Sequence, residues 1–440
     1  MNRREFMLAA AGTAMGGAFG EITNGTGRVV CPQTAARRIE DNVPNLAPRN
    51  RHPYSDVDWT TAQQVKGTTH MHCTTQEHLD AILKRGIEFL TISNYYPSAP
   101  WCPLSKMTKN YYRLHHDFPV VVHGKRKDGP FDWNKIVGEW IDELTEDVRA
   151  EYPFKEGDRI FKPLPEGMLE APNAEHHNFI GENGRTIGAL HMNAPGSTYA
   201  SGTFDQWQKR RFQTGVRGGY AVGCGEFWKT SIDRMIAGLI YPDGGGVTIN
   251  HPHWSALRRH RILDLLDYDP RVLGIEVIEG GHTCSEYYWD WVLATGRQCF
   301  GFFVPDHSVN RKDGDFGVNV LVVPERSVHA CLKAYRQGNF YGARRGLGEL
   351  KFTRIAFSGG DTVEAETDRP ARIEVVTARG VVKRVKKGTA IKWKMEGPPL
   401  AGGSRSHANA FIRVKAYATD GSGEELFSQP YMIEDEPRKV

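Results

Sequence analysis

Two histidines separated by one residue are the first side chains in this sequence whose type and spacing could do chemistry. His70 and His72 follow residues 65–69, which have the composition of a short strand, and precede residues 77–85, whose apolar side chains recur at helical spacing. Because side chains alternate along a strand, both imidazoles lie on the same face. Imidazole nitrogens bind Zn²⁺ and other transition metals, so the pair predicts part of a metal site at a strand-to-helix turn.

Other acidic and histidine side chains stand close to the ends of further predicted strands. From residue 62 to residue 346, short apolar strands alternate with amphipathic helices about seven times. This alternation predicts an α/β barrel, in which the carboxyl ends of the strands form the catalytic face. The residues that mostly lie at these ends are His70, His72, Glu170, His176, His251 and Asp306.

The composition restricts the class of protein. The 56 Lys and Arg residues nearly balance the 52 Asp and Glu residues, and no basic block recurs, which argues against nucleic acid as the main partner. After the N-terminus no apolar run is long enough to span a membrane. The seven cysteines form no C-x-x-C pair, which argues against a disulfide framework or a zinc ribbon. The sequence does not determine the oligomeric state.

The N-terminus has the pattern of an export signal. Arg3 and Arg4 precede Phe6 and a mildly apolar stretch rich in Ala and Gly, as in twin-arginine (Tat) signals. We therefore expect residues 1–25 to be a signal peptide, residues 26–61 to be an arm or linker, and the mature protein to be periplasmic or secreted.

The domain pattern changes along the chain. Within the domain predicted over residues 62–346, residues 98–135 read as an insertion. After about residue 346 helical periodicity is absent, residues such as 411–417 alternate with a period of two, and Asp420-Gly421 is a turn signal. We therefore predict a small all-β, sandwich-like domain over residues 347–440.

Taken in order, these motifs resemble those of the PHP family, named after polymerase and histidinol phosphatase. The resemblance covers roughly residues 62–346 and rests on His70-Met71-His72, Gly167-Met168-Leu169-Glu170, the segment that begins with His176, Asn250-His251-Pro252, Gly274-Ile275-Glu276-Val277, and Asp306-His307. It implies a distorted (β/α)7 barrel, followed here by the β-sandwich, and hydrolysis of phosphoesters by metal-activated water. The expected substrate is a small or phosphorylated molecule.

The resemblance also implies roles for individual residues. The expected metal ligands are His70, His72, Glu170, His176, His251 and Asp306, and the expected catalytic residues are His78 and His307. A carboxylate such as Glu170 can bridge two ions and hold them about 3.5–4 Å apart. Imidazoles and carboxylates suit Zn, Mn or Fe, and the donor types do not choose among these divalent metals.

Two departures from the family pattern affect the expected number of ions. Ser93-Asn94-Tyr95 stands where the family has Thr-Asp-His, and Asp306 and His307 are adjacent where the family has one residue between them. A neutral amide and a phenol are poor ligands for Zn²⁺ or Fe²⁺. We therefore expect one or two tightly bound ions, and we expect Asn94→Asp to raise the affinity for a further ion.

The motifs leave two other functions to be weighed. An amidohydrolase-type barrel also begins with two histidines one residue apart, and a non-catalytic binding protein with a degenerate metal site would account for Asn94 and Tyr95. The Gly-Glu and His-Pro motifs and the run Trp289-Asp290 favour the phosphoesterase. Spacing alone does not decide which of the remaining histidines are ligands, namely His78, His177, His191, His253 and His307.

Overall fold

The computed structural model of the chain describes residues 49–94, 104, 161–180, 186–199, 228–280, 283–310, 315–345, 349–377, 381–395 and 410–433. The strands are β1 (Gln63–Gly67), β2 (Phe89–Leu90), β3 (Leu169–Glu170), β4 (Glu175–Ile180), β5 (Thr186–Asn193), β6 (Val247–Ile249), β7 (Val272–Glu279), β8 (Thr283–Cys284), β9 (Phe300–Val304), β10 (Gly317–Val323), β11 (Phe340–Arg344), β12 (Phe352–Ser358), β13 (Thr362–Thr377), β14 (Val381–Lys394), β15 (Phe411–Ala418), β16 (Glu425–Phe427) and β17 (Tyr431–Met432). The helices are α1 (Gln76–Lys84), α2 (Trp228–Ala237), α3 (Arg259–Tyr268), α4 (Glu286–Leu293) and α5 (Val328–Gln337).

The chain folds into mixed α/β structure, as the sequence predicts, but the alternation of strand and helix is less regular than expected. The described residues contain five helices, and several strands pair antiparallel, including β4 with β5 and β5 with β6. The predicted signal peptide and most of the predicted insertion lie outside the described residues. None of the helices in the described ranges has the length and apolar character that crossing a bilayer requires.

Local sequence explains where helices α1 and α5 begin and where α5 ends. The Thr75 side chain accepts a hydrogen bond from the His78 N–H and caps α1, and Ser327 caps α5 in the same way through the Ala330 N–H. Gly338 ends α5 with a φ of 76°, a conformation that glycine adopts without a Cβ penalty. These caps fix where each helix starts relative to the strand that precedes it.

The sheet that carries the first histidines is built around β1. Strand β1 pairs parallel with β2, which pairs parallel with β3, and on its other side β1 pairs antiparallel with β10. All seven residues of β10 are buried, including Asn319, so both faces of this mostly apolar strand lie inside the core. Both neighbours of β1 therefore hold its carboxyl end in the interior.

A second sheet brings the later site residues to the same region. Its strand order is β4-β5-β6-β7-β8, and β9 pairs parallel with β7. The two sheets meet where the segment after β1 forms a parallel bridge, Met71 with Asp306, at the end of β9. Asp306 donates its N–H to the His70 carbonyl at 3.1 Å, and its own carbonyl accepts the His72 N–H at 3.4 Å. The backbone thus joins the first and the late site segments directly.

The regular elements that the structure describes after residue 349 are all strands. These strands continue the first sheet, because β16 pairs antiparallel with β11. The Gln429 side chain accepts the Gly301 N–H and donates to the Gly301 carbonyl, both at 2.8 Å, and so satisfies backbone groups of β9. Residues 47–440 form one compact unit.

One buried ion-pair cluster also joins the C-terminal strands to the α/β part. Arg413 of β15 is fully buried, and its guanidinium lies 2.8 Å from Asp290 and 2.6 Å from Glu286, both on α4. The guanidinium also lies over the Trp289 ring, 4.9 Å from the ring centroid. A buried charge of this kind is stable only with partners in place, so the two parts of the chain depend on each other here.

Candidate metal centre

The two histidines of the first motif converge as their spacing predicts. His70 and His72 follow β1, both are buried, and their Nε2 atoms lie 3.2 Å apart. The Asn94 carboxamide holds the next residue in place, since its Oδ1 accepts the Cys73 N–H at 2.8 Å and its Nδ2 donates to the Cys73 carbonyl at 2.7 Å. Asn94 therefore fixes the backbone after the motif, and both ends of its carboxamide are hydrogen-bonded to Cys73. Tyr95 lies outside the described residues.

Two carboxylates complete the first group of donor atoms. The Oε2 atom of Glu175 lies 3.4 Å from the His70 Nε2 and 3.3 Å from the His72 Nε2. The Oδ1 atom of Asp306 lies 3.3 Å from each of the same two nitrogens. Ligand atoms at about 2.0–2.1 Å from a tetrahedral ion stand about 3.3–3.4 Å from one another. The five separations among these side chains match such edges, so His70 and His72, together with Glu175 or Asp306, offer donor atoms at the spacing of a divalent ion's ligands.

The other oxygen of Glu175 faces a second group of imidazoles. Glu175 Oε1 lies 2.9 Å from the His191 Nδ1 and 3.3 Å from the His251 Nε2. The side chains of Glu175, His191 and His251 are close enough to share an ion, as are those of His70, His251 and Asp306. A carboxylate whose two oxygens face two donor groups is the arrangement that bridges paired ions. The clusters are therefore compatible with binding divalent metal.

The elements that deliver these side chains come from both sheets. Glu175 opens β4 and donates its N–H to the Ser93 carbonyl at 3.1 Å, which places β4 beside the end of β2. His191 lies on β5, and His251 follows β6 with a φ of 27°. Asp306 also has a positive φ, 49°. Such backbone conformations are uncommon for residues other than glycine and are found where the surrounding structure imposes them, often at functional sites.

A buried carboxylate on β7 orients the first histidine. Glu276 is fully buried, and its Oε1 lies 2.8 Å from the His70 Nδ1. Its Oε2 accepts the backbone N–H of His251 at 2.7 Å. A carboxylate that accepts a hydrogen bond from one ring N–H leaves the other ring nitrogen free to bind a metal. Glu276 thus sets the tautomer of His70 and also holds the backbone of His251.

Charge and burial act in opposite directions on the histidines of the cluster. Burial alone lowers the pKa of His70, but Glu276, Asp306 and Glu175 raise it well above the usual value. The same balance raises the pKa of His72 and of His251, with Glu175 acting on both. Without a metal the cluster therefore holds protons, and a divalent cation would take the place of that positive charge.

The structure brings together four of the predicted ligands, His70, His72, His251 and Asp306, with His307 at the edge of the group. The His307 ring stacks on the His72 ring with centroids 4.0 Å apart, and its Nε2 lies 3.7 Å from the Asp306 Oδ1. Its side chain is 58% exposed, so it reaches solvent beside the donor atoms. Burial and the charge of His72 lower the pKa of His307 to about 4.

Three other predicted residues lie elsewhere. The Oε1 atom of Glu170 accepts the Leu104 N–H at 3.0 Å, and Glu170 belongs to none of the donor groups formed by the described residues. His176 stacks on Tyr199 instead, with ring centroids 5.4 Å apart, because it points to the opposite face of β4 from Glu175. His78 lies on the first turn of α1, where its Nδ1 is 3.3 Å from the Thr74 hydroxyl.

Sequence reasoning gave no role to Glu175 or Glu276 and left open whether His191 is a ligand. Glu175 directly precedes the histidine segment. Because the family pattern selects His176 as the ligand from this strand, it gives no role to the neighbouring Glu175, which points to the opposite face. His191 lies near the end of strand β5, and other site residues also lie at or after strand ends, so this position could have identified it. Glu276 sits in the middle of an apolar strand, where a carboxylate is rare without a partner. Of His177 the structure describes the backbone, and His253 is exposed beside Tyr287.

Comparison with known proteins adds one likeness. No protein-family model and no curated protein matches the sequence. Among solved structures, the chain is similar to a two-domain protein from Bacteroides vulgatus that is described as containing a predicted PHP-like metal-dependent phosphoesterase. The two sequences are 12% identical, the TM-score is 0.37, and the match covers 88% of this chain and 99% of the other. A likeness at this score does not establish a shared fold or activity.

Proposed function

We propose that the protein is a metal-dependent hydrolase that cleaves phosphoesters, with the α/β part forming a PHP-type barrel. The observation that supports this most is the position of Glu175, whose two oxygens face the His70–His72 pair and the His191–His251 pair. A shared carboxylate between two imidazole groups is the donor set for two adjacent divalent ions. The proposed ligands are thus His70, His72, Glu175, His191, His251 and Asp306.

The chemistry of phosphoester cleavage suits this donor set. Divalent ions held here would activate water near neutral pH and neutralise charge on the attacking and leaving oxygens. Glu276 keeps the His70 Nε2 turned toward the centre, and the strained backbone at His251 and Asp306 fixes the direction of their side chains. His307 is neutral near pH 7 and reaches solvent at the edge of the centre. From there its neutral ring can accept a proton from water.

The completeness of the donor set speaks against a non-catalytic protein with a degenerate site. Asn94, the residue that suggested degeneracy, bonds to the Cys73 backbone and has no place in the cluster. We also propose that the chain is exported by the Tat pathway to the periplasm or beyond, and that residues 347–440 are a β-sandwich domain. Zn, Mn and Fe all suit the ligands.

The test is metal analysis combined with activity. Purified protein is stripped with a chelator, reloaded with Zn, Mn or Fe, and assayed on phosphomonoesters, phosphodiesters and a set of amides and esters. We expect bound metal and phosphoester turnover that returns on reloading. Glu175→Gln should lose metal, and Glu170→Gln, which removes a neighbouring carboxylate outside the cluster, should retain it. Retention of metal by Glu175→Gln, or turnover of amides alone, would contradict the proposal.

A further inference from the structure

An exposed tryptophan stands at the edge of the second donor group. Trp254 lies three residues after His251, and its ring centroid is 4.8 Å from that of His251 and 5.9 Å from that of His191. The residue is 38% exposed. Among the described residues, Trp254 and Tyr287 are the aromatic side chains with the most exposed surface. The indole therefore lies next to two of the proposed ligands and is exposed enough for a bound molecule to contact it.

The turn that carries Trp254 is held by hydrogen bonds to the two residues at its start, His251 and Pro252. The Ser255 N–H donates to the His251 carbonyl, and the Leu257 N–H donates to the Pro252 carbonyl, both at 2.9 Å. The Ser255 hydroxyl lies 2.9 Å from the His251 Nδ1. These contacts fix the backbone of the turn beside His251. The position of Trp254 is therefore largely set before a substrate binds, and little conformational entropy is lost on binding.

A second contact fixes the turn to a neighbouring element. The His253 N–H donates to the Ser285 hydroxyl at 3.2 Å, at the start of α4. The His253 ring lies 5.8 Å from the Tyr287 ring, which is itself near the Arg259 guanidinium. The rim of the centre on this side is thus aromatic and cationic, with the tryptophan closest to the ligands.

We propose that Trp254 is a stacking platform that selects phosphoesters whose leaving group carries a planar ring, such as a nucleobase or an aryl group. The proposal rests on the proposed function, because the metal cluster would hold the phosphoryl group while the indole face receives the ring. An uncharged indole adds no affinity for the phosphate itself, but its π face stacks on any planar ring. The recognised feature is therefore the ring, not the charge.

The experiment compares two ligands that differ only in the ring. AMP and ribose 5-phosphate share the sugar phosphate, and only AMP has a base. Binding of each to the metal-loaded protein is measured by calorimetry, alongside kcat/KM. Stacking of one base contributes about 5- to 150-fold in affinity, so we expect AMP to bind more tightly by a factor in this range. Trp254→Leu keeps apolar packing against the histidines but removes the π face, and should abolish the difference.

Control variants separate stacking from structural damage. Trp254→Phe retains a ring and should preserve most of the preference for AMP, while Tyr287→Ala removes the other exposed aromatic ring and should leave the preference unchanged. Metal content is measured for each variant, so that a loss of metal is recognised independently of ligand binding.

The outcomes distinguish the two proposals. Equal affinity of the wild-type protein for both ligands would overturn the proposal that Trp254 stacks on the ring. A preference for AMP that persists in Trp254→Leu would overturn it as well. Hydrolysis of both phosphoesters with equal kcat/KM would overturn it and leave the phosphoesterase standing. A preference for AMP that depends on Trp254, in a protein that hydrolyses no phosphoester, would support the platform and reject the proposed function.

Discussion

The Nδ1 atom of His70 lies 2.8 Å from the Oε1 atom of Glu276, and both side chains are fully buried. The other oxygen of the same carboxylate accepts the backbone N–H of His251 at 2.7 Å. One residue on β7 therefore positions groups from two other strands, and the order of the cluster depends on it.

Glu276→Gln is expected to lower metal affinity without removing a ligand. The amide can accept only one of the two hydrogen bonds and presents N–H groups to the other donor, so His70 or His251 loses its orientation. Loss of an outer carboxylate of this kind reduces metal affinity by about 10- to 100-fold. Competition with a chromophoric chelator measures the change. Glu374→Gln, at a largely buried carboxylate of β13, is the matched control and should leave the affinity unaltered.

Metal binding should strengthen as the pH rises. In the metal-free protein the surrounding carboxylates raise the pKa of His70, His72 and His251 above their ordinary value of 6.5, although burial opposes this. Protons therefore compete with the metal around pH 7, and binding releases them. Calorimetry in buffers of different ionisation enthalpy counts the protons released. If metal binding released no protons at neutral pH, the assignment of these histidines as metal ligands would be contradicted.

The metal-free protein should respond to pH in the opposite direction. Histidines whose pKa is raised by folding stabilise the protein fully below the unfolded value of 6.5, and this contribution disappears as the pH rises through the higher folded values. The melting temperature of the chelated protein should therefore fall between about pH 6 and pH 8, while that of the metal-loaded protein should not. In the variant His70→Ala/His72→Ala this fall should be smaller.

Arg413→Met is expected to destabilise the whole unit by about 3–5 kcal/mol, because it leaves Asp290 buried without its partner charge. Denaturant unfolding of the metal-loaded protein measures the loss. Arg354→Met is the control, since Arg354 forms an exposed pair with Glu364 at 2.8 Å, and such pairs contribute about 1 kcal/mol or less. Adding Asp290→Leu to Arg413→Met should recover part of the stability; a further loss would indicate that the charge is not the cause.

Asn94→Asp should not add an ion, contrary to the expectation from the family pattern. A carboxylate at this position cannot donate to the Cys73 carbonyl and would face that oxygen instead. An unmade buried hydrogen bond of this kind costs about 1–3 kcal/mol of stability. Thermal unfolding and elemental analysis of the variant measure both effects. An additional equivalent of metal in the variant would show that position 94 does reach the cluster.

The sequence by itself determined the features that depend on local pattern. Alternation along a strand places His70 and His72 on one face, and strand ends marked by polar residues identified His251 and Asp306. The change to a period of two after about residue 346 led to the prediction of an all-β region, because helices and strands bury their apolar faces at different spacing.

Only the tertiary structure decided which residues of a strand face the centre. In β4 a shift of one residue exchanges the two faces, and the segment that begins with Glu175 and His176 carries polar side chains on both. The pairing of β4 with β5, Glu175 opposite Asn193, selects Glu175 for the cluster and leaves His176 against Tyr199. Glu276 is joined to His70 across 206 positions of sequence, a contact that no local pattern encodes, because it arises only when the two sheets meet.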